Sequence, residues 1–160
     1  MVDLNFALIG CGHISTKHAK VLTTLDNCAL IGAYDIDPKK YDDITRITND
    51  NHFKRYQNYD EVLNDSSVNT VDICTPSGTH YELAVKAAGA GKNIVIEKPI
   101  ALTLEDSNSM IEICDKNNVK LFVVKQYRYH KPIQKLKEAI DDGRFGKIVS
   151  GNVNVYWSRK

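Results

Sequence analysis

The sequence carries almost no net charge. Its 21 lysines and arginines are set against 20 aspartates and glutamates, which leaves +1. That balance excludes the one-signed footprint of a nucleic-acid or anionic-membrane binder. No apolar run approaches the roughly 18 residues that a bilayer-spanning helix needs. Met1-Val2-Asp3-Leu4 lacks a charged segment leading into a long apolar stretch, so no secretory signal is expected. Cys-x-x-Cys spacing is absent as well. The four cysteines, Cys11, Cys28, Cys74 and Cys114, stand singly in apolar or Gly-rich settings. They predict thiols in a reducing compartment, no metal site and a cytoplasmic location. Tandem repeats and low-complexity linkers are missing too. What is there is ordinary: 42% apolar and 26% charged residues in 160 positions. Such a chain fits one domain of about 150 residues, with a core that needs no covalent staples.

Short apolar runs alternate with longer helical patterns. The runs at 5–9, 29–34, 53–56, 70–74, 93–97 and 121–124 predict six strands. Helices are predicted at 14–25, from Pro38 through Ile44 and Ile47, at 60–63, 81–90, after Thr103, and at 132–142. Thr79 with Glu82, and Thr103 with Asp106, have the spacing of capping boxes. Strands that are apolar nearly throughout belong to a parallel sheet covered on both faces. The predicted fold is α/β, a Rossmann-type doubly wound parallel sheet. Residues 147–157 differ: Val153, Val155 and Trp157 alternate with polar residues, as in a half-buried strand. That strand is expected to be the first of a second, α+β domain lying beyond this chain.

The first predicted strand runs into Gly10-Cys11-Gly12-His13-Ile14-Ser15, which opens a helix. Gly10 permits a tight turn, and Gly12 lets backbone N–H groups approach a pyrophosphate at the helix N-terminus. Ser15 takes the third small position, where Gly or Ala is usual. Asp35 closes the next strand, 20 residues after Ser15, the spacing of the ribose-binding carboxylate. Gly10, Gly12, His13, Ile14 and Asp35 are therefore candidate cofactor-binding residues. A carboxylate at Asp35 favours NAD over NADP, although Lys39 and Lys40 stand close by. The plainer alternative is a ligand-free turn with Asp35 capping the next helix. The dinucleotide reading divides the chain into an NAD-binding Rossmann domain, 1–125, and a connecting helix with the start of a truncated C-terminal substrate domain, 126–160.

Two further loops follow central strands: Thr75-Pro76-Ser77-Gly78-Thr79-His80 and Glu97-Lys98-Pro99. In a doubly wound sheet both line the crevice at the Gly-rich turn. Lys98 directly follows a central strand. It is either a surface lysine paired with Glu97, or a group that polarises or deprotonates a hydroxyl being oxidised. His18 is expected to be a packed structural residue. His80 either orients its loop near the cofactor or caps a helix.

Ala7-Leu8-Ile9-Gly10-Cys11-Gly12-His13-Ile14 with His18, then Asp35, Thr75-Pro76-Ser77-Gly78-Thr79-His80 and Glu97-Lys98-Pro99-Ile100-Ala101 together resemble the glucose–fructose oxidoreductase, inositol dehydrogenase and rhizopine-catabolism (Gfo/Idh/MocA) family. The resemblance implies an NAD(P)-dependent oxidoreductase of sugars or cyclitols, with Lys98 catalytic or substrate-positioning. It places Thr75, Pro76, Ser77, His80, Glu97 and Lys98 along the cofactor. Residues 124–132 and 155–159 are similar to bacterial UDP-N-acetylglucosaminuronate 3-dehydrogenases, which oxidise a sugar C3 hydroxyl for lipopolysaccharide aminosugars. Those enzymes tend to carry Asn where Tyr127 and His130 stand. By the same resemblance Gln126 would lie near the nicotinamide and Arg128 near the substrate. The full-length protein would be a homo-oligomer, completed by a second domain, and this chain alone inactive. Two alternatives stay open: a non-catalytic dinucleotide-binding module or sensor, and an inositol-type cyclitol as substrate.

Overall fold

The computed structural model describes residues 4–156. The readings that fall on Met1–Asp3 and on Trp157–Lys160 lie outside the described residues. The chain forms two compact units, Met1–Val124 and Lys125–Lys160.

The first unit is a six-stranded sheet. Its strands are β1 (Leu4–Ile9), β2 (Cys28–Tyr34), β3 (Lys54–Arg55), β4 (Thr70–Ile73), β5 (Asn93–Ile96) and β6 (Leu121–Val123). They lie in the order β3-β2-β1-β4-β5-β6, and every pairing is parallel. Between them run α1 (His13–Leu22), α2 (Tyr41–Thr48), α3 (Tyr59–Asn64), α4 (His80–Gly89) and α5 (Leu104–Lys116). This is the Rossmann-type doubly wound sheet that the sequence predicts.

Why the strands are apolar throughout is visible in β1. Successive side chains of a strand point to opposite faces. Phe6 and Leu8 join one core with Ala19 and Leu22 of α1 and Tyr41 and Ile44 of α2. Ala7 and Ile9 join the other, with Ala84 and Ala87 of α4 and Met110 of α5. Both faces are covered, so neither set of positions can be polar.

The direction of winding reverses between β1 and β4. There the Cys74 N–H donates to the Ile9 carbonyl (2.8 Å), and the Gly10 N–H to the Tyr34 carbonyl (2.8 Å). The carboxyl ends of β2, β1 and β4 therefore lie side by side. That is the place where sheets of this kind bind ligands.

Local differences from the sequence reading have physical causes. Thr79 does not cap α4. Its hydroxyl bonds the Thr75 hydroxyl (2.8 Å) and the Pro76 carbonyl (2.9 Å), because a 3-10 turn at Ser77–Thr79 winds into the helix. Glu82 pairs with Lys86 instead (2.9 Å). Thr103 does cap α5, accepting the Asp106 N–H at 3.0 Å. Helix α1 stops at Leu22, short of the expected Leu25.

The second unit begins with a 3-10 turn, Gln126–Tyr129, and continues as α6 (Lys131–Asp141), with Pro132 in its first turn. No residue of α6 is buried. Residues 148–156 carry no regular structure. The strand-like alternation there finds no partner strand among the described residues, and a β-ladder cannot form without one. Among the described residues, no helix is long and apolar enough to cross a membrane.

Gly32 was not singled out by its sequence context. A Cβ at this position would stand 2.4 Å from the Lys54 carbonyl oxygen and 2.7 Å from the Tyr56 ring. Glycine here lets β3 close onto β2. Gly32→Ala is expected to cost about 1–3 kcal/mol through overpacking. Urea unfolding checks this, and an unchanged midpoint would contradict it.

Candidate functional site

The Gly-rich turn forms because its first residue has no side chain. Gly10 has φ +90°, and a Cβ there would meet Thr75 Cγ2 at 2.9 Å and the Cys74 carbonyl carbon and oxygen at 3.1 Å. The turn after β1 thus lies directly on the loop after β4. Around Gly12 the space is open, with nothing within 4 Å of where a Cβ would be. Behind it Ser15 is fully buried, and its hydroxyl donates to the Gly12 carbonyl at 2.6 Å. A small residue suffices for that packing, and the hydroxyl finds a local acceptor. Helix α1 starts at His13 with no side-chain cap and no acidic residue in its first turn. Its first N–H groups keep their capacity to bind an anion.

Asp35, just past β2, turns its carboxylate toward this turn. Oδ2 accepts the Cys11 N–H at 2.7 Å and Oδ1 the Asp37 N–H at 2.8 Å. Lys40 Nζ is 3.9 Å away. Asp37, not Asp35, caps the following 3-10 turn, accepting the Lys39 N–H at 3.1 Å. Burial, followed by the Asp35 charge, pushes the Cys11 thiol up to about 12, so it stays protonated. An open cradle at Gly12, an uncapped helix start and a carboxylate beyond β2 fit the pyrophosphate and adenosine ribose of a dinucleotide.

The second and third loops are tied to each other by His80. It is 1% exposed, with Nδ1 2.8 Å from the Pro99 carbonyl and Nε2 3.0 Å from the Thr75 carbonyl. His80 lies under the loops, where it is placed to support both backbones, in keeping with the loop-orienting reading of its position. Glu97 is held from both sides. It is buried, Oε1 is 3.1 Å from His18 Nε2, and Oε2 accepts the Lys98 N–H at 3.0 Å. Lys98 is exposed, joined to Pro99 by a cis peptide, and its ammonium forms no ion pair among the described residues. The Glu97–Lys98 surface pair is therefore not formed. Thr75 and Ser77 are half-buried and Pro76 is exposed along the same edge. Gln126 and Arg128 belong to the second unit, exposed on its first turn.

Sequence reasoning missed Asp72. It sits in β4 at 2% exposure, with Oδ2 2.8 Å from His18 Nδ1. The signal was available: a carboxylate in a strand buried on both faces must be paired. His18 thus lies between two carboxylates, and Cys74 Sγ is 3.7 Å from its Nδ1. Donor atoms of His18, Asp72 and Cys74 lie within 4.8 Å of one another. The 2.8 Å contact is nonetheless a hydrogen bond, since two ligands on one tetrahedral zinc stand about 3.3 Å apart. Burial, reinforced by the Asp72 and Glu97 charges, keeps Cys74 a thiol. Burial alone would lower the His18 pKa. Hydrogen bonds and charge from Asp72 and Glu97 outweigh it and hold the imidazole above its ordinary value.

Fold and site together define a Rossmann-type dinucleotide-binding domain. Residues 4–125 match the model of an oxidoreductase family with an NAD-binding Rossmann fold, Gfo/Idh/MocA, and the chain belongs to that family. It is 33% identical over 144 residues to the myo-inositol 2-dehydrogenase of Thermotoga maritima, covering 90% of this chain and 42% of that protein. It is 31% identical to the glucose-6-phosphate 3-dehydrogenase of Bacillus subtilis, covering 92% and 41%. The WlbA dehydrogenase of Bordetella pertussis, solved with NADH and UDP-GlcNAcA, superposes with a TM-score of 0.83 at 34% identity, over 91% of this chain and 41% of that one. The chain thus spans about two fifths of the relatives it matches.

Because the His18 pKa is raised on folding, its contribution is fully present below about pH 6.5, the unfolded value. It is lost as pH rises through the higher folded value. Asp72→Ala should cost about 3–5 kcal/mol at pH 6, the usual result of breaking a buried ion pair, with the gap to the wild type narrowing toward pH 9. Denaturant titrations across that range check it. A gap that widens with pH would show that the sign is wrong.

Proposed function

We propose that this chain is the cofactor half of an NAD-dependent dehydrogenase that oxidises a ring hydroxyl of a sugar or nucleotide sugar. The observation that carries the proposal is Lys98. Its backbone is fixed by Glu97, while its side chain stands exposed and unpaired just beyond β5. Bound NAD supplies the hydride acceptor for the carbinol carbon. Lys98 Nζ would hydrogen-bond the reacting hydroxyl and, in its neutral amine form, take up the hydroxyl proton to become the ammonium as the hydride leaves the carbinol carbon. Gly10, Gly12, His13 and Ile14 hold the pyrophosphate against the start of α1. Asp35 accepts the adenosine ribose hydroxyls and disfavours a 2′-phosphate, so NAD is preferred to NADP. Thr75, Pro76 and Ser77 run along the nicotinamide half. In the second unit, the sequence resemblance of 124–132 supports Gln126 as a nicotinamide contact and Arg128 as a substrate contact.

The substrate we favour is a UDP-N-acetylhexosaminuronate oxidised at C3, which would place the enzyme in cytoplasmic lipopolysaccharide aminosugar synthesis. The sequence around 124–132 and the likeness to WlbA support this reading. An inositol-type cyclitol is the second reading, supported by the Thermotoga relative. Residues 126–160 would begin the substrate domain, and the full protein would be a homo-oligomer that needs this domain for turnover.

A fluorescence titration with NADH, run beside NADPH, tests the cofactor assignment. NADH should bind at least ~10-fold tighter, and Asp35→Ser should narrow that difference. Equal affinity for both would remove Asp35 from the ribose site. In the longer protein, Lys98→Ala should lower kcat by ~100-fold or more, the usual contribution of a positioned proton acceptor, and leave NADH affinity within about twofold. Unchanged turnover would reject the lysine as the catalytic group.

A further inference from the structure

Three elements lead into the loops that would hold the pyrophosphate, the nicotinamide half and Lys98: α1 behind the Gly-rich turn, β4 and β5. One polar side chain bonds across all three. His18, on α1, places Nδ1 2.8 Å from Asp72 Oδ2 of β4 and Nε2 3.1 Å from Glu97 Oε1 beyond β5. The other oxygen of Glu97 accepts the Lys98 N–H at 3.0 Å. We propose that His18 is a positioning residue for Lys98, locking Glu97 in the rotamer that fixes the Lys98 backbone and so the point at which its side chain enters the crevice. This rests on the reading of Lys98 given above and extends it to a group that touches neither cofactor nor substrate.

Proton bookkeeping carries the inference further. Each bridge requires one hydrogen between a ring nitrogen and a carboxylate oxygen. A neutral imidazole between two carboxylates can supply only one. The two bridges therefore hold two protons, either both on the ring or one on the ring and one on a carboxyl group. Removing one proton leaves a nitrogen lone pair facing a carboxylate oxygen, and that contact repels. Among the described residues, the other titratable group facing the ring is Cys74, just after β4, 3.7 Å from Nδ1, and its thiol stays protonated. Loss of the second proton then opens a bridge, and where the Glu97 bridge opens the Glu97 carboxylate is free to turn. The Lys98 N–H reports that motion directly, because its acceptor is the same carboxylate.

The test is a pH series of nitrogen-15 NMR spectra of this chain, following the His18 ring nitrogens and the Lys98 amide together. The Lys98 amide shift should titrate with the same midpoint as the His18 ring, above the ordinary imidazole value of about 6.5. In Glu97→Gln, where one carboxylate charge is removed, the His18 midpoint should fall by about one pH unit. In His18→Gln, which keeps a single donor, the Lys98 amide should no longer respond over that range. A residue that serves packing alone would leave the Lys98 amide flat in every variant. A wild-type Lys98 amide that ignores the His18 titration overturns the proposal, as does a His18 midpoint unmoved by Glu97→Gln. The NADH titration separates the two readings. Co-titration without NADH binding leaves the clamp standing and removes the dehydrogenase. NADH binding without co-titration does the reverse.

Discussion

The architecture turns on one close approach. Gly10 brings the backbone after β1 against Cys74 and Thr75 at the end of β4, at distances a side chain would not allow. These are the two central strands, where the winding of the sheet reverses. Because they end side by side, the Gly-rich turn, the Thr75-Pro76-Ser77 loop and the Glu97-Lys98-Pro99 loop open toward one crevice. A substituent at position 10 would separate the first two. His80 secures the third, since its ring lies between a carbonyl of each of the two later loops, 3.0 Å and 2.8 Å from its two nitrogens. The crevice is thus built from backbone contacts, and side chains beneath it keep those contacts in register.

Electrostatics follow the same division between framework and surface. Asp72 and Glu97 are buried, and neither meets a lysine or arginine among the ion pairs of the described residues. Their shared partner is a histidine, a group whose charge depends on the protons it holds. That choice leaves Lys98 unneutralised at the surface, although a carboxylate stands next to it in sequence. Had Glu97 turned outward to pair with Lys98, the lysine would have lost its availability and His18 its second partner. The arrangement sends Glu97 inward.

Much of this was legible in the sequence. The central strands β1 and β4 are buried on both faces, and their largely apolar runs say so directly. The Gly-rich turn and Asp35 were legible because their spacing reflects the length of one strand, one helix and a second strand. What escaped was long-range pairing. Asp72 and His18 are 54 residues apart, and no local pattern records which buried imidazole meets which buried carboxylate. The inward partners of Glu97 and His80, His18 and two loop carbonyls, were equally invisible in the sequence. Position in a loop does not tell which side of the backbone a side chain takes. Thr79 failed as a cap for a related reason: its hydroxyl has nearer acceptors, created by a 3-10 turn that spacing alone does not announce.

The second unit shows the limit of local pattern from the other side. Ile133, Leu136 and Ile140 recur at helical spacing on α6, yet they are 45%, 48% and 39% exposed. The amphipathic signal is satisfied in conformation and unsatisfied in burial. Val149, Val153 and Val155 repeat the case, with strand-like alternation and no ladder to join. In the first unit the apolar positions of β1 meet those of α1, α2, α4 and α5, and two cores close on the sheet. A pattern of this kind specifies which face must be covered. Only a partnering surface decides whether it becomes core, and the chain spans about two fifths of its relatives. The first unit contains two closed cores, while α6 of the second has amphipathic spacing with no buried residue.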